Sequence, residues 1–470
     1  MLETEVTKTT TSMRAPQRNN AQIARRPGNI SRIRLFVDLS QTSSTSRNTG
    51  IERVVRCLVS HLPECIKDSN LVCGLHLNGD FFALDDELQM AMKSLGEFEQ
   101  KATQSYPVPL RKLLASVTKN RPFHKLQKVL LPAPSHLGIF KLPHSFLVYL
   151  AKQSRRRRGG EIVPNEKTIL LLPDAYWTKM DVWPTVARYR ESGCFVCTVV
   201  YDLIPISHPE FVGERRVEKF RKYIDSVIRN SDLIIAISDT VKQDIAQYVQ
   251  ENYHENEAVC RRISSFQLGA DVPAISGSVR ERTASLFVDR TGNSPYLVVG
   301  SFDPRKNHHH VLDAFERLWA NGSNAQLCFA GRVGGLSANL VQRINAHPEL
   351  GNRFHIFYDM NDAELQHAYK NCSGVILAST VEGFGLPIVE SLWHGTKTFV
   401  SDIPIHREVG GDNCTFFPLN DPTLLSNAIR DWESVKDSAV SNTPIPPVSW
   451  AESARELHSI CMNAYRERNS

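Results

Sequence analysis

Long apolar runs are missing from this chain of 470 residues. None approaches the roughly 20 residues that a membrane-spanning helix needs. The best candidate, Leu137 to Leu150, is interrupted by Lys141, Pro143 and His144. Residues 1–30 lack the apolar stretch of a secretory signal. They are polar and rich in Thr, Asn and Arg, and read as a tail outside the fold. A cytoplasmic protein is the expectation. A cysteine framework is missing too. Ten cysteines are scattered, and the one close pair, Cys194 and Cys197, lies in Cys-Phe-Val-Cys-Thr-Val-Val. That run reads as a buried strand, on which residues three apart face opposite sides, so small apolar core residues in a reducing compartment outweigh a redox or zinc site. Acidic residues are absent from Lys101 to Gly160, which carries 13 Lys or Arg. With a formal net charge of +5, the rest of the chain carries 5 − 13 = −8. The total is too small to imply nucleic acid. The local asymmetry fits either a solvated face or peripheral docking on an anionic membrane.

What is present suits two α/β units. The length exceeds one ordinary core. Continuous apolar runs at Ile33–Asp38, Thr168–Pro173, Phe195–Tyr201 and Leu233–Ile237 read as strands of a parallel sheet covered on both faces. Helices are expected from about 50, over Trp183–Glu191 and Phe211–Arg229, and from about Thr240. The pattern repeats with strands at Tyr296–Gly300, Ala325–Ala330, Arg353–Phe357, Gly374–Ala378, Lys397–Val400 and Cys414–Phe417, alternating with helices. The expected fold class is α/β, with two Rossmann-like doubly wound domains facing a cleft. The expected division is a tail at 1–30, a first domain at 31–285 with a basic insertion at about 100–160, a second domain at 286–440, and a linker and helix at 441–470.

Ligands of open α/β sheets bind beyond the carboxyl ends of the strands, so the residues that follow each strand carry the chemistry. Gly300-Ser-Phe-Asp-Pro-Arg305-Lys306-Asn307 puts two adjacent cations at a strand end. A guanidinium fork and a compact ammonium suit a diphosphate. Thr380-Val-Glu382-Gly-Phe-Gly385-Leu-Pro387-Ile-Val-Glu390 follows another strand. Gly383 and Gly385 let backbone approach a ligand, Pro387 fits the first turn of the next helix, and that helix start favours an anion. Glu382 and Glu390 are carboxylates suited to sugar and ribose hydroxyls. Ala330-Gly331-Arg332 is a third, weaker signal.

Pro304-Arg-Lys-Asn307, together with Glu382 and Glu390 separated by seven residues, resembles the signature of glycosyltransferase family 4, whose members are retaining enzymes of the GT-B fold. Supporting segments are Thr49-Gly50-Ile51-Glu52-Arg53-Val54, Tyr201-Asp202-Leu-Ile-Pro205, Gln267-Leu-Gly-Ala-Asp271, Ser401-Asp402-Ile-Pro404 and Glu408-Val-Gly-Gly411. The resemblance implies that Arg305 and Lys306 neutralise the donor diphosphate and that Glu390 binds the ribose. It implies that Glu382, Gly383, Phe384, Gly385 and Leu386, with Gly331, line the donor. Gly50 and Ile51 would face them across the cleft, with Ser238 and Asp239 on the acceptor side. Tyr201 stands where the family often has His beside the anomeric centre, next to Asp202, and His208 is expected on the acceptor side, with its compensation for the missing His left open.

The implied substrates are a sugar nucleotide, with GDP-mannose the first choice and UDP-sugars open, and a glycan or lipid-linked acceptor. No cofactor and no metal are expected. No Asp-x-Asp triplet, the cation grip of metal-dependent glycosyltransferases, occurs in the chain. A sugar-nucleotide epimerase, a sugar phosphorylase and a non-catalytic nucleotide- or glycan-binding relative remain the alternatives.

Overall fold

The computed structural model describes residues 33–42, 50–66, 69–77, 79–83, 162–254, 256–271, 278–288, 294–435 and 448–470. The expected tail, the basic insertion up to residue 161 and about half of the linker near 272–294 lie outside them.

Two sheets organise the described residues. The first has strand order β3-β2-β1-β4-β5-β6-β7, formed by Ile33–Asp38 (β1), Ser69–Leu77 (β2), Asp80–Ala83 (β3), Thr168–Leu172 (β4), Phe195–Val200 (β5), Leu233–Ala236 (β6) and Ile263–Ser265 (β7). The second has order β10-β9-β8-β11-β12-β13, formed by Tyr296–Val299 (β8), Leu327–Ala330 (β9), Phe354–Phe357 (β10), Gly374–Leu377 (β11), Thr398–Ser401 (β12) and Thr415–Phe417 (β13). The second sheet is parallel throughout. The first is parallel except at its edge, where β3 runs antiparallel to β2. Gly79, at φ 86°, makes that reversal. No strand was expected at this edge.

The apolar runs form strands because both faces are covered. Every residue of β4, β5 and β6 is buried, as is every residue of β9, β11 and β12. In each sheet the strand order reverses beside the first strand of the unit, between β1 and β4 and between β8 and β11. These are the switch points where loops part and a ligand finds room.

Seven helices matter below. They are α1 (Gly50–Cys65), α2 (Asp239–Asn252), α3 (His308–Ala320), α4 (Asp362–Asn371), α5 (Leu386–Trp393), α6 (Pro404–Gly410) and α7 (Trp450–Asn469). The last returns to the first unit. A capping box of Ser449 and Glu452 starts it. Trp450, Leu457, Cys461 and Met462 then join the apolar cluster of the first sheet, and the Tyr465 ring meets Phe195 edge-on at 5.8 Å. All ten cysteines are free, and Cys194 and Cys197 are both buried.

Candidate active site

The loop after β8 folds into a single tight turn, Pro304–Lys306. It ends at Asn307, whose left-handed backbone (φ 51°) turns the chain into α3. Both cations of the turn converge on Glu382 from the loop after β11. Arg305 Nη1 lies 2.6 Å from Glu382 Oε2, and Lys306 Nζ pairs with Oε1. Ser379 Oγ donates to the same Oε1 at 2.8 Å. The two loops are also tied through backbone, Thr380 N donating to Arg305 O at 2.8 Å. Burial alone would raise the Glu382 carboxyl, but Arg305 and Lys306 outweigh it and hold the group well below the usual carboxylate range. Burial pulls Lys306 down in turn.

Gly383 follows. A Cβ there would come within 2.3 Å of Tyr201 O in the first unit, so only glycine lets the two units meet at this point. Ser238 Oγ, also from the first unit, donates to Gly383 O at 3.2 Å. Gly385 adopts φ 97° as the residue before α5, and Pro387 occupies the first turn of that helix. No side chain caps the α5 start, and such a helix start favours an anion. Phe384 does not simply line the cleft. It is buried with Val389 in the apolar cluster of the first sheet, and Leu386 packs beside them. The loop that carries Glu382 is therefore also an apolar seam between the units.

Glu390, one turn into α5, has both carboxylate oxygens engaged. Arg53 Nη1 from α1 lies 2.6 Å from Oε1, and Tyr369 in α4 donates its hydroxyl to Oε2 at 2.7 Å. Gly331 is explained by backbone: a Cβ there would sit 1.7 Å from Gly300 O.

In the first unit, Tyr201 and Asp202 leave β5 toward Gly383. Tyr201 is buried and its hydroxyl donates to Pro173 O at 2.6 Å. Its proton is committed to backbone, and what it presents to the second unit is its carbonyl. Asp202 accepts from Ile204 N at 3.1 Å. Burial raises its carboxyl, and the charge of Arg305 opposes the rise. His208 lies on the rim, stacked on Phe211 with ring centroids 6.0 Å apart and 2.9 Å from Ser207 Oγ. Ser238 caps α2 by accepting from Val241 N. Asp239 Oδ1 accepts from Ser265 Oγ at 2.5 Å. Gly50 and Ile51 open α1, and Ile51 packs against the first unit's apolar cluster.

Sequence reasoning assigned no role to four groups that the fold brings in. Arg53 is one. Glu408 on α6 is another, accepting from Asp239 N at 2.7 Å and Thr240 N at 2.8 Å. His406 is fully buried beneath the Glu382 loop, with Nδ1 3.0 Å from Ser401 O. Burial pushes its ring down to about 4, so it is neutral at physiological pH. The fourth is a pair of buried carboxylates at the first sheet's switch point. Asp38 holds Ser40 and His76 N, and Asp174 accepts from Gln41 N and Thr42 N, both at 3.0 Å. They pin the start of the segment leading from β1 toward α1. A Glu within Arg-Glu-Val or an Asp at a strand end gives no local signal of such partners.

Residues 289–443 match the family model described as glycosyl transferases group 1. The chain is 28% identical over 273 residues to the serotype-specific mannosyltransferase WbdA of Escherichia coli, a match covering 57% of this chain and 34% of that protein. It is 23% identical over 240 residues to the O-antigen chain mannosyltransferase RfbU of Salmonella typhimurium, covering 51% of this chain and 61% of the other. The matched part of the chain thus spans about a third of WbdA and less than two thirds of RfbU. Among solved structures, Anabaena Alr3699/HepE in complex with UDP-glucose matches with a TM-score of 0.51 at 16% identity, over 93% of this chain and 99% of that one. That likeness concerns the fold, and with it the two doubly wound units are a GT-B architecture.

Proposed function

We propose that this chain, which carries a glycosyl transferases group 1 domain on a GT-B fold, moves a hexose from a nucleoside-diphosphate sugar to a glycan or lipid-linked oligosaccharide in polysaccharide synthesis. Mannose is the sugar we favour, in keeping with the names of WbdA and RfbU. The observation that carries the reading is the gathering of Arg305 and Lys306 around Glu382, at the carboxyl end of the second sheet and against Tyr201 and Asp202 of the first unit.

The chemistry follows from charge. Breaking the sugar–phosphate bond leaves a diphosphate with growing negative charge and an oxocarbenium-like sugar. Arg305, Lys306 and the α5 start form a preorganised set of positive groups that stabilise the leaving group, so the reaction needs no metal. Glu382, with its charge held, accepts from donor-sugar hydroxyls once phosphate oxygens take over its cations. Glu390 binds the ribose. The acceptor hydroxyl attacks from the face the diphosphate leaves and passes its proton to a departing phosphate oxygen, giving retention. Contact between the units at Gly383 and Phe384 excludes water and limits hydrolysis. Among the described residues no helix is long and apolar enough to cross a membrane. The basic stretch from Lys101 to Gly160 suits an anionic, lipid-borne acceptor.

The test is direct. Purified protein is screened for thermal stabilisation by GDP and by UDP, then incubated with the matching sugar nucleotide and a lipid-linked oligosaccharide. A product one hexose heavier, with an α-linkage from an α-configured donor, is expected. A new free sugar formed without acceptor, or nucleotide binding with no turnover of any sugar nucleotide, overturns the reading.

A further inference from the structure

Glu390 is the proposed ribose ligand, and among the described residues its two oxygens are held from different units. Oε2 is fixed from within the second unit by Tyr369, whereas Oε1 pairs with Arg53, which belongs to the first turn of α1 in the first unit. The pair is almost shielded from solvent, with side-chain exposure of 18% for Arg53 and 5% for Glu390. The Glu390 charge is also the largest influence on the Arg53 guanidinium, which it pushes upward. A carboxylate has about four acceptor positions on its two oxygens. One contact to each oxygen leaves each with room for a further donor, the arrangement a vicinal diol needs.

We infer that Arg53 is a positioning residue. It orients Glu390 from across the cleft, so that the ribose grip is complete only when the two units are together. This rests on the reading of Glu390 as the ribose ligand. An arginine suits the task because its planar fork fixes the plane of a carboxylate, which a lysine point charge does not. Separation of the units withdraws Arg53 and leaves Glu390 held by Tyr369 alone, free to turn. Nucleotide affinity and closure are then two sides of one equilibrium, because a ligand that prefers the completed grip favours the joined state.

The test uses full-length protein and isothermal calorimetry with GDP or UDP, whichever binds more tightly, against its 2′,3′-dideoxy counterpart. The ratio of the two affinities reports the ribose contact. Wild type is expected to favour the ribonucleotide by about tenfold or more, the size of a lost hydrogen bond to a charged group. Glu390→Ala and Arg53→Ala should each bring the ratio close to unity, and the double variant should lower it no further, since residues acting through one contact are not additive. Arg53→Lys should recover part of the ratio, and it keeps the test alive if Arg53→Ala fails to fold. A ratio lost in Glu390→Ala but intact in Arg53→Ala or Arg53→Lys overturns the inference and leaves Glu390 as the ribose ligand. A ratio intact in Glu390→Ala overturns both.

Discussion

Glu408 caps a helix that belongs to the other unit. Its two carboxylate oxygens accept from the first backbone N–H groups of α2, Asp239 N at 2.7 Å and Thr240 N at 2.8 Å, and the Thr240 hydroxyl adds a third bond at 2.5 Å. Ser238 already caps Val241 N from within the first unit. Glu408 therefore supplies the remaining cap only while the units touch, and the positive end of α2 favours its charge. Glu408→Ala is expected to cost about 1 kcal/mol of stability, as loss of a cap does, and to lower kcat by about tenfold through weaker closure. Ser238→Ala should cost a similar amount of stability and loosen the Gly383 contact as well. Differential scanning calorimetry and steady-state kinetics on both variants check this. Unchanged kinetics in Glu408→Ala would remove its part in closure.

Arg305 and Lys306 share one counter-charge, Glu382, and that counter-charge competes with any phosphate that enters. Lys306→Ala should lower turnover by about 10²-fold or more, as loss of preorganised charge does. Glu382→Gln should behave in two directions at once. Affinity for inorganic pyrophosphate should rise by about tenfold, because two partly buried cations lose their internal anion. Sugar transfer should fall by about 10²-fold, because the charged acceptor of the sugar hydroxyls is gone. Calorimetry with pyrophosphate alone separates the first effect from the second.

The second sheet was legible because its strands are short apolar runs, wholly buried in β9, β11 and β12, and because helices of clear period separate them. The strand Gly374–Leu377 followed by Glu382 to Glu390 shows both signals within one stretch of chain. The edge of the first sheet was not read. Ser69–Leu77 is only partly buried, Asp80–Ala83 is four residues and Ile263–Ser265 is three, too short for periodicity to separate strand from loop. At the site, residue types and loop positions could be read, but not cross-unit partners. Glu408 and Asp239 lie 169 residues apart, and nothing local in either predicts the other. Phe384 illustrates the same limit: its place in the loop after Gly374–Leu377 was readable, whereas its burial against the first unit follows from how the sheets meet.

Asp38 gives the fold a pH dependence of its own. Burial is the main reason its carboxyl is pushed up to about 6, with Asp174 adding to the rise while Ser40, Tyr176 and Lys179 oppose it. An unfolded Asp titrates near 4. Between about pH 4 and about pH 6 the folded chain holds a proton that the unfolded chain has released, so this group's contribution to stability falls as pH rises through that window. Asp38→Asn keeps an oxygen for Ser40 and His76 and offers N–H toward the Tyr176 oxygen. It should be more stable than wild type by about 3 kcal/mol near pH 7.5, with the gap about half as large at about pH 5. Urea midpoints at the two pH values check it, and a gap of equal size at both would mean that the Asp38 charge is not the cause.

Tyr201 separates two meanings of a residue at the cleft. The family often places His there, and a side chain with a titrating nitrogen can work beside the anomeric carbon. The Tyr201 hydroxyl instead donates to Pro173 O at 2.6 Å, with the ring buried and the phenol pushed well above its ordinary pKa by that burial. A phenol in this position fastens the end of β5 to the end of β4, and through its own carbonyl it sets the floor on which Gly383 rests. Tyr201→Phe keeps the ring and that carbonyl and removes one buried hydrogen bond. The expected loss is about 1–2 kcal/mol of stability, since the Pro173 carbonyl is left without its donor, and turnover should stay within about threefold of wild type. If the hydroxyl instead touches the transferring sugar, kcat should fall by about 30-fold or more with little change in the thermal midpoint. The two outcomes differ in both readouts, so one variant measured in both ways decides whether Tyr201 holds the cleft together or takes part in the chemistry.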